Sequence, residues 1–138
     1  MDSAKLAHNQ LRLVERLDIT PGENGVVCHL SDTLCSKLGK NCYLTLGFYG
    51  DTLMVLSENH WDVVVNKFNK MTADPSPAVQ GASRLFSYIF ANTVKSDLSA
   101  GSLFIPELFI EFANMFETTA IDCLADEDGK LFLRASSL

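Results

Sequence analysis

The residues of this chain that could do chemistry are four cysteines, three histidines, one acidic run and a few scattered bases. Cys28, Cys35, Cys42 and Cys123 stand among apolar neighbours at wide spacings, with no C-x-x-C pair. Zinc sites use tightly spaced thiolates and imidazoles, and Cys28-His29 followed by Cys35 and Cys42 fits neither a finger nor a ribbon. The cysteines therefore read as free thiols filling core space. His8, His29 and His60 fall in an N-terminal tail, a strand and a helix start, with no G-x-S-x-G, H-E-x-x-H or phosphate-cradling loop beside them. The run Asp126-Glu127-Asp128-Gly129 is too short for a calcium loop, whose ligands spread over ~12 residues, and reads as a hairpin turn. No catalytic constellation forms, so the expectation is a protein that is not an enzyme, with no cofactor, metal or small-molecule substrate. A pocket joining Cys28 and His29 to an acid would revive the enzyme reading.

Nucleic-acid contact is the other chemistry open to such a chain. Binding DNA gains affinity by releasing counterions to Lys and Arg, and a net charge of −6 works against it unless the bases gather on one face. Arg12 and Arg16 in the first strand and Lys95 at the end of a later strand are the candidates. Each also reads as an ordinary solvated side chain.

The elements that must position these residues follow from periodicity. At 138 residues and 47% hydrophobic content, the chain suits one compact α+β domain with a buried core. Its first ten residues lack a basic-then-apolar leader pattern, and no run approaches the ~18 apolar residues of a membrane span, so no membrane role and a cytoplasmic location are expected. A strand runs through Leu11, Leu13 and Leu17, and Pro21-Gly22-Glu23-Asn24-Gly25 is a turn. Ser31 caps a helix over 32–38 with Leu34, Cys35 and Leu38 inward, and Gly39 ends it. A strand centred on Leu44, a turn at Gly50-Asp51 and a helix capped by Ser57 come next. In that helix Trp61, Val64, Val65, Phe68 and Met71 share one side, and Asn66, Lys67, Asn69 and Lys70 the other. A linker over 72–77 leads to a third helix from Pro77, with Ala78, Ala82, Leu85 and Phe86 expected inward. Gly81, Ala82 and Ser83 in a row would admit a partner helix closely. The stretch 91–116 reads as strand, turn, strand and a helix starting on Pro106, with Leu108, Phe109, Ile110, Phe112, Ala113 and Met115 set aside for burial. That is more bulky apolar surface than one small core needs.

The chain also repeats itself. Residues 25–30 lie opposite 101–106 with a short helix after each, Leu44-Thr45-Leu46 matches Ile121-Asp122-Cys123, and Leu53-Met54-Val55 matches Leu131-Phe132-Leu133. The division is a first repeat with its helix over 1–71 and a linker, helix and second repeat over 72–138, sharing one core.

On the run IFANTVKSDLSAGSLFIPELFIEFANM, the segment CYLTLGFYGDTLMVLSENHWDVVVNKF and the spacing between them, the chain resembles the MraZ family of bacterial transcriptional regulators. The likeness runs from about Leu17 to Leu133. It implies two AbrB-like swapped-hairpin β-β-α-β units forming one double-split barrel, here with two added helices between them. It also implies a homo-oligomer, a ring in that family, and operator DNA as partner. The family marks each half with an Asp-x-x-x-Arg motif whose arginines are associated with DNA binding. Anchoring on Ile105-Pro106 puts Leu98 and Ser102 at those places, with Asp97 one residue away, and the first half has Gly22 and Val26 there. Val26 and Ser102 are thereby expected to be equivalent, partly exposed positions. The implied function is a MraZ-like regulator with degraded DNA-binding motifs, nucleoid-associated if contact is kept. The alternative is a DNA-binding-deficient relative acting as an oligomerisation or protein-interaction module.

Overall fold

The computed structural model describes residues 11–47, 49–98 and 100–136. His8, in the N-terminal tail, lies outside them, as do the side chains of Leu85 and Phe86, so their expected places stay open.

Among the described residues eight strands and four helices are formed: β1 (Arg12–Gly22), β2 (Gly25–His29), α1 (Asp32–Leu38), β3 (Asn41–Leu46), β4 (Leu53–Ser57), α2 (Glu58–Thr72), α3 (Pro77–Ala91), β5 (Val94–Asp97), β6 (Ser102–Pro106), α4 (Glu107–Phe112), β7 (Ala120–Ala125) and β8 (Leu131–Ala135). The fold is α+β. All strand pairs are antiparallel, in the order β5-β3-β4-β8-β7-β1-β2-β6, and the sheet curls into a nearly closed barrel. Its two edge strands are joined by the short turn after Leu98, where the Leu98 N–H reaches the Lys40 carbonyl and the Leu30 N–H reaches the Gly101 carbonyl.

Pairing runs between strands that hold the same place in the two halves. β2 lies against β6, from Gly25 opposite Pro106 to His29 opposite Ser102. β4 lies against β8, with Leu53 opposite Leu133, Met54 opposite Phe132 and Val55 opposite Leu131. β1 pairs with β7 and β5 with β3, while α2 and α3 stand between the halves in the chain.

The barrel interior is one apolar cluster in which Leu17, Cys28, Leu44, Leu53, Ile105, Ile121 and Leu133 meet Leu34 and Leu38 of α1 and Phe109 and Ile110 of α4. Alternation along each strand puts Met54, Leu56, Leu124 and Phe132 on the other face, where they form a second cluster with Tyr43, Tyr49, Trp61 and Val64. The Tyr43 and Trp61 rings stack there at 4.6 Å.

Local chemistry sets the helix ends. The Ser31 hydroxyl accepts from the Leu34 N–H and Gly39 closes α1 at φ 86°, as its sequence predicts, although Cys35 is only half-buried. Ser57 caps α2 in the same way, through the His60 N–H. The predicted helix from Pro106 is shorter than expected. Pro106 ends β6 and serves as the cap, and α4 stops at Phe112 because Asn114 takes φ 53° while the Met115 N–H bonds back to the Ile110 carbonyl. This left-handed cap turns the chain away, so Leu108 and Phe112 face solvent, contrary to expectation, while Phe109, Ile110, Ala113 and Met115 are buried. Ala78 is likewise exposed rather than inward. On α2 the five predicted inward residues are only half-buried, and no residue of that helix is fully buried.

Candidate functional site

The bases singled out from the sequence do not gather in one place. β1 carries Arg12 and Arg16, but a bulge between Leu13 and Glu15 shifts its register against β7. Arg12 therefore lies opposite Ala125, in the row of the barrel interior, and Arg16 opposite Asp122, in the outer row. Lys95, exposed on β5, lies opposite Tyr43, with β3, β4, β8 and β7 between β5 and β1 in the sheet.

Arg16 is engaged within the molecule. Its Nε donates to Asp122 Oδ1 at 2.9 Å, and Asp122 is buried. On the other side of Asp122, in the same row, stands Arg134 of β8. Sequence reasoning passed over Arg134. The signal was available: an aspartate inside the apolar run 121–125 needs a cationic or hydrogen-bonding partner if buried, and Arg134 is a base in an otherwise apolar strand.

The four motif positions also separate. Leu98 is a core residue, and Gly22 pairs with Gly25 at the end of the β1–β2 hairpin. Val26 lies opposite Ile105 and packs on the interior cluster, whereas Ser102 lies opposite His29, on the outer side. The expected equivalence of Val26 and Ser102 is thus displaced by one residue, and one residue flips a strand side chain to the other face. Matching the two helix caps, Ser31 and Pro106, makes Cys28 the counterpart of Leu103, with which it pairs, and Val27 the counterpart of Ser102. Val27 lies opposite the exposed Phe104 on the outer side. The outer surface of β2 and β6, with Thr20 of β1 beside it, then presents Val27, His29, Ser102 and Phe104, and His29 Nε2 and Thr20 Oγ1 approach there to 3.2 Å.

The cysteines are all unpaired thiols. Burial pushes Cys28 and Cys42 up to about 12 and Cys123 to about 11, away from the thiolate a nucleophile or metal ligand needs. Cys28 faces the interior and His29 the outside, so alternation along β2 separates the pair that an enzyme reading would join. A surface cleft of about 310 Å³ is lined by Lys37, Ser57 and His60 over Leu38, Val55 and Leu131, and the Ser57 hydroxyl there accepts the capping bond from the His60 N–H. Among the described residues no group of three potential metal ligands converges. Among them, too, no helix is long and apolar enough to cross a membrane.

No family model and no curated protein matches this chain.

Proposed function

We propose that this chain is a MraZ-like regulator with weakened DNA contact, acting as an oligomer built on a pseudo-symmetric double-split barrel. The observation that carries the reading is the pairing of like with like, β2 with β6 and β4 with β8. Two swapped-hairpin units related by a pseudo-two-fold axis would give such pairing, with Cys28 against Leu103 and Met54 against Phe132. The resemblance calls for arginine at Val26 and Ser102; matching the two helix caps instead makes Val27 the counterpart of Ser102, and both of these lie on the outer surface. Neither neutralises a phosphate. Each bidentate arginine contact is worth roughly 1–3 kcal/mol of recognition, so losing one from each half leaves little besides general charge attraction, against a net charge of −6. Of the bases on the strands, Arg16 already holds Asp122, which leaves Arg12, Lys95 and Arg134.

The test is a gel shift and an anisotropy titration with the DNA upstream of the chain's own gene, at low and at physiological salt. Weak binding with a shallow salt dependence is the expected result, because few phosphates are neutralised. Tight, sequence-specific binding at physiological salt would restore an ordinary regulator. No binding even at low salt, with assembly kept, favours a second reading, an oligomerisation or protein-interaction module; the exposed apolar residues of α4 argue for it.

A further inference from the structure

The cleft of about 310 Å³ has a polar rim and an apolar floor, supplied by different parts of the fold. Lys37 stands in the last turn of α1. Ser57 and His60 form the start of α2, where the Ser57 hydroxyl accepts from the His60 N–H and keeps its own proton to donate. Lys37 and His60 are exposed, within reach of a ligand arriving from solvent. Beneath them Leu38, Val55 and Leu131 belong to the interior cluster and come from α1, β4 and β8. The cleft is therefore an opening onto the barrel interior. Behind it the same three residues share a void of about 10 Å³ with Leu17, Leu34 and Leu103. The lining of that void is aliphatic apart from the Cys123 thiol, so a water there would find no good partner. Polar groups stop at the rim, and apolar surface continues inward.

The ionisable side chains that line the cleft, among the described residues, are Lys37 and His60, and no carboxylate joins them. Acids do stand nearby in the chain. Glu58 follows Ser57, and the turn that supplies Gly129 also carries Asp126, Glu127 and Asp128, but none of the four lines the cleft. Asp126 Oδ1 accepts from the N–H groups of Asp128 and Lys130 and is engaged in its own turn. The start of α2, a helix of 15 residues, adds partial positive charge at Ser57 and His60.

We infer that this cleft binds a medium-chain carboxylate. The carboxylate is held by Lys37, His60 and the Ser57 hydroxyl, and the hydrocarbon tail lies on Leu38, Val55 and Leu131 towards the void. A volume of about 310 Å³ stands at the lower end of small-molecule sites, roughly 300–1,000 Å³, and suits one short chain rather than a large cofactor. Inorganic phosphate would leave the apolar floor uncovered, and a neutral hydrocarbon would leave the rim without a counter-charge. An anion with an apolar tail engages both. The inference goes beyond the DNA reading and does not depend on it, since Arg12, Lys95 and Arg134 take no part in the cleft.

The experiment titrates octanoate into the full chain by calorimetry, with acetate as the head-only probe and 1-octanol as the tail-only probe. Octanoate should bind one to one. Each partial probe should bind at least about tenfold more weakly, because one charge-assisted hydrogen bond or two buried methylenes account for that much. Methyl NMR should show octanoate shifting Leu38, Val55 and Leu131, and leaving Leu56 and Leu124 of the outer cluster in place. The double variant Lys37→Gln with His60→Gln changes two exposed side chains, and circular dichroism checks that it keeps its fold. It should weaken octanoate about tenfold, towards the affinity of octanol. No octanoate binding, equal affinity for octanoate and octanol, methyl shifts away from the cleft, or a double variant that binds like the parent would each overturn the site.

Discussion

Arg16 Nε and Asp122 Oδ1 lie 2.9 Å apart across the β1–β7 pair, and the carboxylate of this pair is buried while the guanidinium is half in solvent. The relationship is unequal: Asp122 depends on Arg16 more than Arg16 depends on Asp122. Replacing Arg16 with Ala leaves a buried carboxylate short of its donor, and we expect a loss of about 1–3 kcal/mol. Asp122→Asn, which removes the charge along with the need for its partner, should cost less. Urea unfolding midpoints of the two variants check the order, and an Asp122→Asn protein less stable than Arg16→Ala would refute it.

The buried thiols predict a distinct alkaline behaviour. Cys28 and Cys42 are raised from 9.0 to about 12 and Cys123 from 9.0 to about 11, chiefly by desolvation. Their folded values lie above the unfolded ones, so the folded chain binds more protons between those limits. Stability is therefore undiminished by the thiols below pH 9 and declines as pH rises from there towards 12. Denaturation midpoints should fall over this window in the parent and fall less in a Cys28→Ala, Cys123→Ala variant. In the native protein at pH 8, half-buried Cys35 should be alkylated well before the other three.

How much of this was legible in the sequence depended on whether the signal was local. Ser31, Gly39 and Ser57 announce their helix ends because capping is decided within four residues. The turns at Gly50-Asp51 and Asp128-Gly129 are equally local, with Asp51 at φ 54° and Gly129 at φ 82°. The end of α4 was misread because an asparagine, not a glycine, takes the left-handed position at residue 114. Register was beyond reach. The bulge on β1 that parts Arg12 from Arg16, and the one-residue displacement between Val26 and Ser102, both turn on which strand lies alongside, and alternation in one strand does not carry that. Arg134 escaped for the same reason, since its meaning comes from Asp122 on the neighbouring strand.

At Gly25, opposite Pro106 at the end of the β2–β6 pair, a methyl group has no space. A Cβ would strike the Ile105 carbonyl oxygen and stand 2.7 Å from Phe104 Cζ. Gly25→Ala should cost about 1–3 kcal/mol through overpacking that the paired backbone cannot relieve. Gly81→Ala, on an exposed face of α3 with nothing within 4 Å, should be neutral or slightly stabilising through helix propensity. Thermal unfolding of the two single variants distinguishes them, and equal midpoints would mean that the β2–β6 approach is looser than the backbone indicates.

The last prediction tests the proposal that DNA contact is weak because arginines are missing from the outer surface. Val27 and Ser102 share the outer surface, whereas Val26 packs on the core beside Ile105, so the variant that tests the proposal carries arginine at the first two. Val27→Arg with Ser102→Arg should leave stability within about 0.5 kcal/mol of the parent, as surface changes usually do. Val26→Arg should cost about 1–3 kcal/mol, because the long side chain must force its way out past packed neighbours. In the double variant each new guanidinium that meets a phosphate adds about 0.9 to the slope of log affinity against log salt, so two arginines per chain steepen it by roughly 1.8 for each subunit in contact. Anisotropy titrations from low to physiological salt read that slope directly. If the double variant folds and assembles but keeps the parent's affinity and slope, the missing arginines are not what weakens DNA contact. The excess of acidic over basic residues, the insert over 19–24 or Asp97 would then have to account for it.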